Sequence, residues 1–411
     1  MRPSSPSCGP LAGDAQDEGR RAHEPVLSGV PVIPSASWAA GLLGTRLAFF
    51  VAGFGLAAWA PLVPLAKERL AVDDRMLGLL LLCLGAGSVL AMLLTSVSNA
   101  RYGSKPIILV GGLGLALILP WLAIAGTPLA LGVTLFAFGV SLGSIDVAMN
   151  IYALELERGA GRPLMSGFHA HYSIGEFTGS AAVTSFLSLQ LGPLFSTLVC
   201  SALMMTAIVL AWPRLTATTV TQQGPLFVLP HRSVLLIAAL AAITFLVEGA
   251  MLDWSALLLV GQDLLAEAHG GLGCMLFAVA MTAGRLGGDA VVERIGDRAT
   301  LMLGTLPIMT GFLAVVAAPV AVVAMAGFLL IGLGISNVVP VLCRRAGKQK
   351  VMPVGVAIAV ITTAGYAGIL MGPASIGLVA HMTGLPFAFG MLGALMCIVM
   401  LSARMVMADP R

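Results

Sequence analysis

From residue 40 to residue 406 the chain is a succession of twelve apolar runs: 40–65, 77–98, 106–126, 129–153, 164–189, 193–212, 234–258, 270–292, 301–318, 321–342, 353–378 and 385–406. Most are close to the ~20 residues that a helix needs to cross a ~30 Å hydrocarbon core. Inside a bilayer no water meets unpaired backbone N–H and C=O groups, so runs of this length fold as helices. The expected fold class is all-α: a polytopic membrane protein with twelve transmembrane helices. Composition agrees, at 58% hydrophobic and 10% charged residues with a mean hydropathy of +0.98, far from a soluble globular mix. The net charge of +3 is small and its basic residues lie between the runs. Nucleic-acid binding calls for clustered Lys/Arg, so the lipid bilayer is the expected partner and nucleic acid is not.

Residues 1–36 are rich in Pro, Ser, Gly and charge and lack the apolar stretch of about 7–15 residues that a signal peptide requires. They read as a disordered cytoplasmic tail. The longest connection between runs falls mid-chain, which divides the protein into a six-helix bundle at 37–213, a central cytoplasmic loop at 214–233 and a second bundle at 234–411. Orientation follows from the basic residues. With the N-terminus inside, the inner loops carry Arg101, Lys105, Arg158, Arg162, Arg214, Arg232, Arg294, Arg298, Arg344, Arg345, Lys348 and Lys350, and the outer loops only Lys67, Arg69 and Arg75. Both termini are expected in the cytoplasm.

The two halves also repeat. Phe50 and Trp59 match Phe245 and Trp254 at an offset of 195 residues. RYGSK at 101–105 matches RIGDR at 294–298 at an offset of 193, and Gly143–Asp146 matches Gly334–Asn337 at 191. Three matches in order at a nearly constant offset exceed what chance likeness between apolar helices supplies. Parallel six-helix repeats about an axis along the membrane normal describe the major facilitator architecture.

Over essentially all of 40–407 the chain resembles the major facilitator superfamily, and within it the uncharacterised bacterial permeases near the fucose permease group. The resemblance is carried by DVAMN (146–150), GRPLMSGFHAHYSIG (161–175), EGAMLDWSALLL (248–259), TAGRLGGDAVVERIGDR (282–298), SNVVPVL (336–342) and TTAGYAGILMGP (362–373). It implies a multi-pass protein of the bacterial inner membrane, a monomer, that moves a small solute, with protons as the coupling ion. The superfamily's inner-loop signature is altered in the first half. Ala100 stands where an acid is usual, although Arg101, Gly103 and Lys105 remain, while the second copy keeps Glu293, Arg294, Gly296 and Arg298.

Polar residues inside apolar runs are costly, on the order of 2.5–3.5 kcal/mol for a charge at the bilayer centre, and so face protein or water. In the fifth run His169, Ser173 and Glu176 recur at i, i+4 and i+7 and share one helix face. At ~1.5 Å per residue Glu176 lies about 18 Å beyond the inner loop, near the midplane, where desolvation suits a carboxyl to carry a proton; packing by an interhelical hydrogen bond is the alternative. The resembled subgroup leads one to expect a small residue at 176, so Glu176 rests on its own chemistry. Asp146 and Asn150 share a face of the fourth run, and Asn337 matches Asp146 by the repeat, so the two are expected to face each other across the central axis, as a gate, a substrate contact or a structural tie. Glu248 sits near the middle of the seventh run where the first has Gly53, and is read as a proton-coupling or substrate-binding acid, or one member of a fixed salt bridge. Asp253 and Trp254 lie further out, toward the interface. Arg285 and Asp289 at i, i+4 read as a structural ion pair with the RIGDR turn, ahead of a substrate role, and are grouped with Arg101, Gly103, Lys105, Arg294, Gly296 and Arg298 as gating-loop residues.

Other chemistries find no support. The six cysteines stand singly with no CxxC, which is the pattern of buried free thiols. A phosphate-cradling GxxxxGK[ST] loop and an HExxH zinc motif are absent, so no cofactor or metal is expected. The His169–Ser173 pair has no accompanying oxyanion-hole signature, so no enzyme is expected. The expected function is secondary active transport, with proton-coupled import of a small polar solute such as a sugar ahead of efflux of a metabolite or drug and ahead of a non-transporting solute sensor.

Overall fold

The computed structural model describes residues 35–216, 229–265 and 271–406. Residues 1–34 of the expected tail and 217–228 of the central loop therefore lie outside the described residues. The rest is helical. The first run becomes α1 (Ser35–Trp59), a 3-10 turn at Ala60–Leu62 and α2 (Val63–Leu70). The break falls at Pro61 and Pro64, which lack the N–H that a continuing helix needs. Then come α3 (Asp74–Tyr102), α4 (Ser104–Ile124), α5 (Pro128–Ala160), α6 (Met165–Ser188) and α7 (Pro193–Ala211). The second half holds α8 (Arg232–Gly261), α9 (Leu272–Val316), α10 (Ala321–Ile335), α11 (Val338–Lys348), α12 (Val354–Thr383) and α13 (Leu385–Val406).

Among the described residues nine stretches are by themselves long and apolar enough to cross a membrane. The other expected spans are accounted for. The polar residues of α6 lower its hydropathy. The long α9 is two expected spans joined end to end across a kink at Gly296. α13 contributes the shorter apolar stretch Leu385–Val399. The tenth run is interrupted at Ser336–Asn337 and continues as α11. The five described cysteines are free.

The repeat read from the sequence has a backbone counterpart. Gly103 closes α3 with φ 76°, ψ 170°, and Gly296, its partner in the repeat, kinks α9 with φ 78°, ψ 164°. These values lie in a region that residues with a Cβ rarely adopt, which explains why glycine recurs there. A second pair escaped the sequence reading: Gly192 (φ 80°, ψ 158°) and Gly384 (φ 89°, ψ 156°) start α7 and α13 in the same way.

Helix pairing repeats as well. α1 packs on α6 and α3 on α5 in the first half, as α8 packs on α12 and α9 on α10 in the second. The halves meet mainly where α6 lies against α9 and α12 against α3. α6 is held tightly to α1: a Cβ at Gly53, Gly175 or Gly179 would come within 2.2–2.3 Å of a backbone oxygen of the facing helix. Small residues let helices in lipid approach this closely. At the other end of the first half, Arg69 donates to the carbonyls of Leu122, Ala123 and Ala125. It thereby satisfies the exposed C-terminus of α4 and places a cation at that helix's negative end.

Candidate functional site

The polar residues of the site are organised by α6, beginning at its N-terminus. Leu164, which precedes the helix, makes no side-chain cap, yet four consecutive N–H groups are met. Leu164 and Met165 donate to Glu157 Oε2 at 2.8 and 3.0 Å. Ser166 and Gly167 donate to Asp289 Oδ1 and Oδ2 at 2.9 and 2.8 Å. Carboxylates suit the positive end of a helix, and here one comes from each half of the protein.

The same carboxylates surround Arg344 of α11, which is only 3% exposed. Arg344 donates to Glu157 through Nε at 2.5 Å and Nη2 at 3.2 Å, and to Asp297 Oδ1 through Nη1 at 2.7 Å. Its Nη2 lies 3.7 Å from Asp289 Oδ1. Lys348 Nζ donates to Asp297 Oδ2 at 2.6 Å, and Arg158 donates to the Gly347 carbonyl across the halves. A cavity of about 460 Å³ opens beside this network, bordered by Leu154, Arg162 and Glu293 among others. A buried guanidinium is stable only with its charge and donors met, and Arg344 meets both conditions by tying α5 to α9 and α11.

One to two turns further along α6 lies a second layer. Tyr172 lies within electrostatic reach of Tyr366 on α12. Arg285 of α9, 4% exposed, donates through Nη1 to Ser173 Oγ at 2.6 Å, through Nη2 to Glu248 Oε1 at 3.4 Å and through Nε to the Ser336 carbonyl at 3.4 Å. Glu176, one turn beyond Ser173, is within electrostatic reach of both Arg285 and Glu248. His169 stands edge-on to Phe49, with ring centroids 5.3 Å apart, and its Nε2 is buried without a partner. Ser173 and Glu248 therefore converge on one guanidinium at the contact between the halves, with Glu176 one turn away on α6.

One sequence expectation is corrected here. Arg285 and Asp289 do not form the i, i+4 ion pair: Arg285 turns to Glu248 and Ser173, while Asp289 caps α6. Burial decides this, because a guanidinium inside the protein needs several acceptors at once, and the site between α6 and α8 offers them. Asp146 and Asn337, expected to face each other, make no hydrogen bond to each other among the described residues. Asn337 fills the break between α10 and α11, donating to the Gly284 carbonyl at 3.2 Å and to Ser336 Oγ at 3.0 Å. Asp146 instead lies within electrostatic reach of Tyr172, Tyr366 and Cys343.

The remaining residues are dispersed. Asn150 Nδ2 donates to the Asp146 carbonyl at 2.9 Å. Asp253 is exposed, and Trp254 packs near Gly377 with Nε1 unpartnered. Arg101 is exposed and lies over its neighbour Tyr102, 5.3 Å from the ring centroid. Lys105 is half-buried, and Arg294 and Arg298 are exposed. The two loop copies thus differ: Asp297 joins the second to the Arg344 network, whereas the first reaches no such network through Arg101. The sequence reading missed Glu157, Asp297, Arg344 and Tyr366. A tyrosine alone near the middle of an apolar run was a signal for Tyr366. Nothing local pairs residue 157 with residue 344.

Fold and site together define a polytopic transporter-type membrane protein made of two repeated helical halves. The chain belongs to the major facilitator superfamily, whose sequence profile matches residues 46–350. It is 45% identical over 365 residues to an uncharacterized MFS-type transporter of Yersinia pestis, covering 89% of this chain and 95% of the relative. It is 30% identical to the membrane protein MosC of Rhizobium meliloti, covering 82% and 83% of the two chains. Among solved structures, the fold is like that of FucP in its outward conformation, with a TM-score of 0.72 at 15% identity, covering 91% of this chain and 100% of that one. The human organic anion transporter MFSD10 is similar at a TM-score of 0.72 and 16% identity, covering 89% and 99%.

Proposed function

We propose that the protein is a secondary active transporter that works by alternating access and imports a small polar solute such as a sugar together with protons. The observation that carries this reading is the Arg285 junction, where one guanidinium joins Glu248 of the second half to Ser173 of the first, beside Glu176. Ionisable groups at membrane depth mark ion and solute paths, and groups shared by two halves can be remade when the halves rock. Likeness in fold to a structure described as a fucose:proton symporter supports the same reading. In it, Glu176 carries the proton and Glu248 binds the solute or shares the coupling, while the Arg344 network closes the end expected to face the cytoplasm.

The test is uptake of a labelled solute panel by proteoliposomes with and without a pH gradient. Glu176→Gln is expected to abolish proton-driven accumulation yet leave solute exchange, and Glu248→Gln to reduce both. Accumulation by Glu176→Gln under an imposed proton gradient overturns the coupling role. Movement against the expected direction indicates efflux, and solute binding without flux indicates a sensor.

A further inference from the structure

Three carboxyls lie on the inner faces of α5, α6 and α8, and their electrostatic surroundings differ. Glu248 is paired with Arg285, and Glu176 feels the same guanidinium. Asp146 has neither. Among the described residues Asp146 makes no ion pair. Asp146 is 9% exposed and Asn150, one turn along α5, is 2% exposed. The Asn150 amide spends its donor on the Asp146 carbonyl, which leaves Oδ1 buried with no partner. The Asp146 carboxyl, which makes no ion pair, and the unpartnered Asn150 amide oxygen therefore lie one turn apart on one face of α5.

A buried amide oxygen is stabilised when a donor reaches it. Two carboxylate oxygens and one amide oxygen make three acceptors, which matches the three N–H groups of a primary ammonium. Tyr172 and Tyr366, one from each half, lie within electrostatic reach of Asp146, and aromatic groups favour organic cations. No group of three His, Cys, Asp or Glu residues suited to a metal ion occurs among the described residues.

We propose that Asp146 and Asn150 Oδ1 bind the ammonium group of the solute, so that the substrate is a hydroxylated primary amine, an amino sugar or amino alcohol, rather than a neutral sugar. This rests on the transport reading above for the word substrate; the ammonium site itself stands apart from it. Glu176 stays available for the proton, so solute cation and proton occupy different acids.

The experiment measures binding to the full-length protein in nanodiscs by calorimetry and thermal shift, below the pH at which the amines lose their charge. Probes are D-glucosamine against D-glucose and N-acetyl-D-glucosamine, and ethanolamine against sodium chloride at equal ionic strength. The charged amines are expected to bind at least about tenfold more tightly than their neutral counterparts. Asp146→Asn should weaken amine binding on the order of 30-fold or more, the cost of removing one partner of a buried charge pair, with the unliganded melting temperature kept or raised. Asn150→Leu, which removes the amide oxygen together with the Nδ2 donor to the Asp146 carbonyl but leaves the Asp146 carboxyl in place, should weaken it less and serves if Asp146→Asn does not fold. Equal binding of glucose and glucosamine, stabilisation by sodium alone, no amine binding, or amine binding unchanged in a folded Asp146→Asn protein overturns the proposal; the last result leaves Asp146 a proton site. Amine binding without flux in proteoliposomes removes the transport reading and keeps the ammonium site. Proton-driven uptake of a neutral sugar without amine binding does the reverse.

Discussion

Glu157→Gln is the sharpest perturbation of the contact between the halves. Glu157 belongs to α5 and its partner Arg344 to α11, joined at 2.5 and 3.2 Å. Hydrogen bonds to charged groups contribute about 1.5–3 kcal/mol net. Glutamine keeps one acceptor oxygen, but it must choose between Arg344 and the N–H groups of Leu164 and Met165 that Glu157 also serves. The expected loss is therefore about 2 kcal/mol, and it falls only on the conformation in which α5 and α11 touch. That corresponds to about a 30-fold shift of the closed-to-open ratio at this end. Arg344 retains Asp297 on its own half, so the fold should survive. The assay uses Leu154→Cys in a cysteine-free background, since Leu154 borders the cavity and is packed near Gly347. Labelling by an impermeant maleimide, added to inverted vesicles, should accelerate by up to about 30-fold in Glu157→Gln. Arg344→Gln should add little on top, because the two residues share one interaction. A labelling rate unchanged within about twofold would refute the view that this ion pair holds the end closed, since 2 kcal/mol cannot be hidden at that scale.

Cysteines introduced at Gly103 and Ala160 should resist an impermeant thiol reagent outside intact cells while one at Gln262 reacts; the opposite pattern reverses the orientation read from the basic loops. Gly103→Ala and Gly296→Ala each force a Cβ into φ near 76–78°, and each should cost about 1 kcal/mol or more, seen as a lower melting temperature in detergent. Arg69→Ala leaves the carbonyls of Leu122, Ala123 and Ala125 without their cap and should destabilise by about 1–3 kcal/mol with transport kinetics unchanged; lost transport at full stability would give Arg69 a functional role instead.

The sequence by itself determined the class, the helical spans and the division into two related halves. Those properties are written in stretches of adjacent residues: an apolar run must satisfy its backbone internally in lipid, and a loop that needs positive φ demands glycine at one position, as Gly103 and Gly296 show. The polar face of α6 was legible for the same reason, since His169, Ser173 and Glu176 are set on one side by helical periodicity alone. Charge partnerships were not. Arg285 and Asp289 sit at a spacing that permits a pair on any isolated helix, yet Arg285 bonds Glu248 and Ser173 while Asp289 caps a helix of the opposite half. Glu157 and Arg344, far apart in the chain, form one of the bonds that join the halves. Inside a membrane protein a buried charge takes the partner that best replaces its lost water, and only the packing of α6 against α9 and of α11 beside α5 decided which groups were near enough to do so.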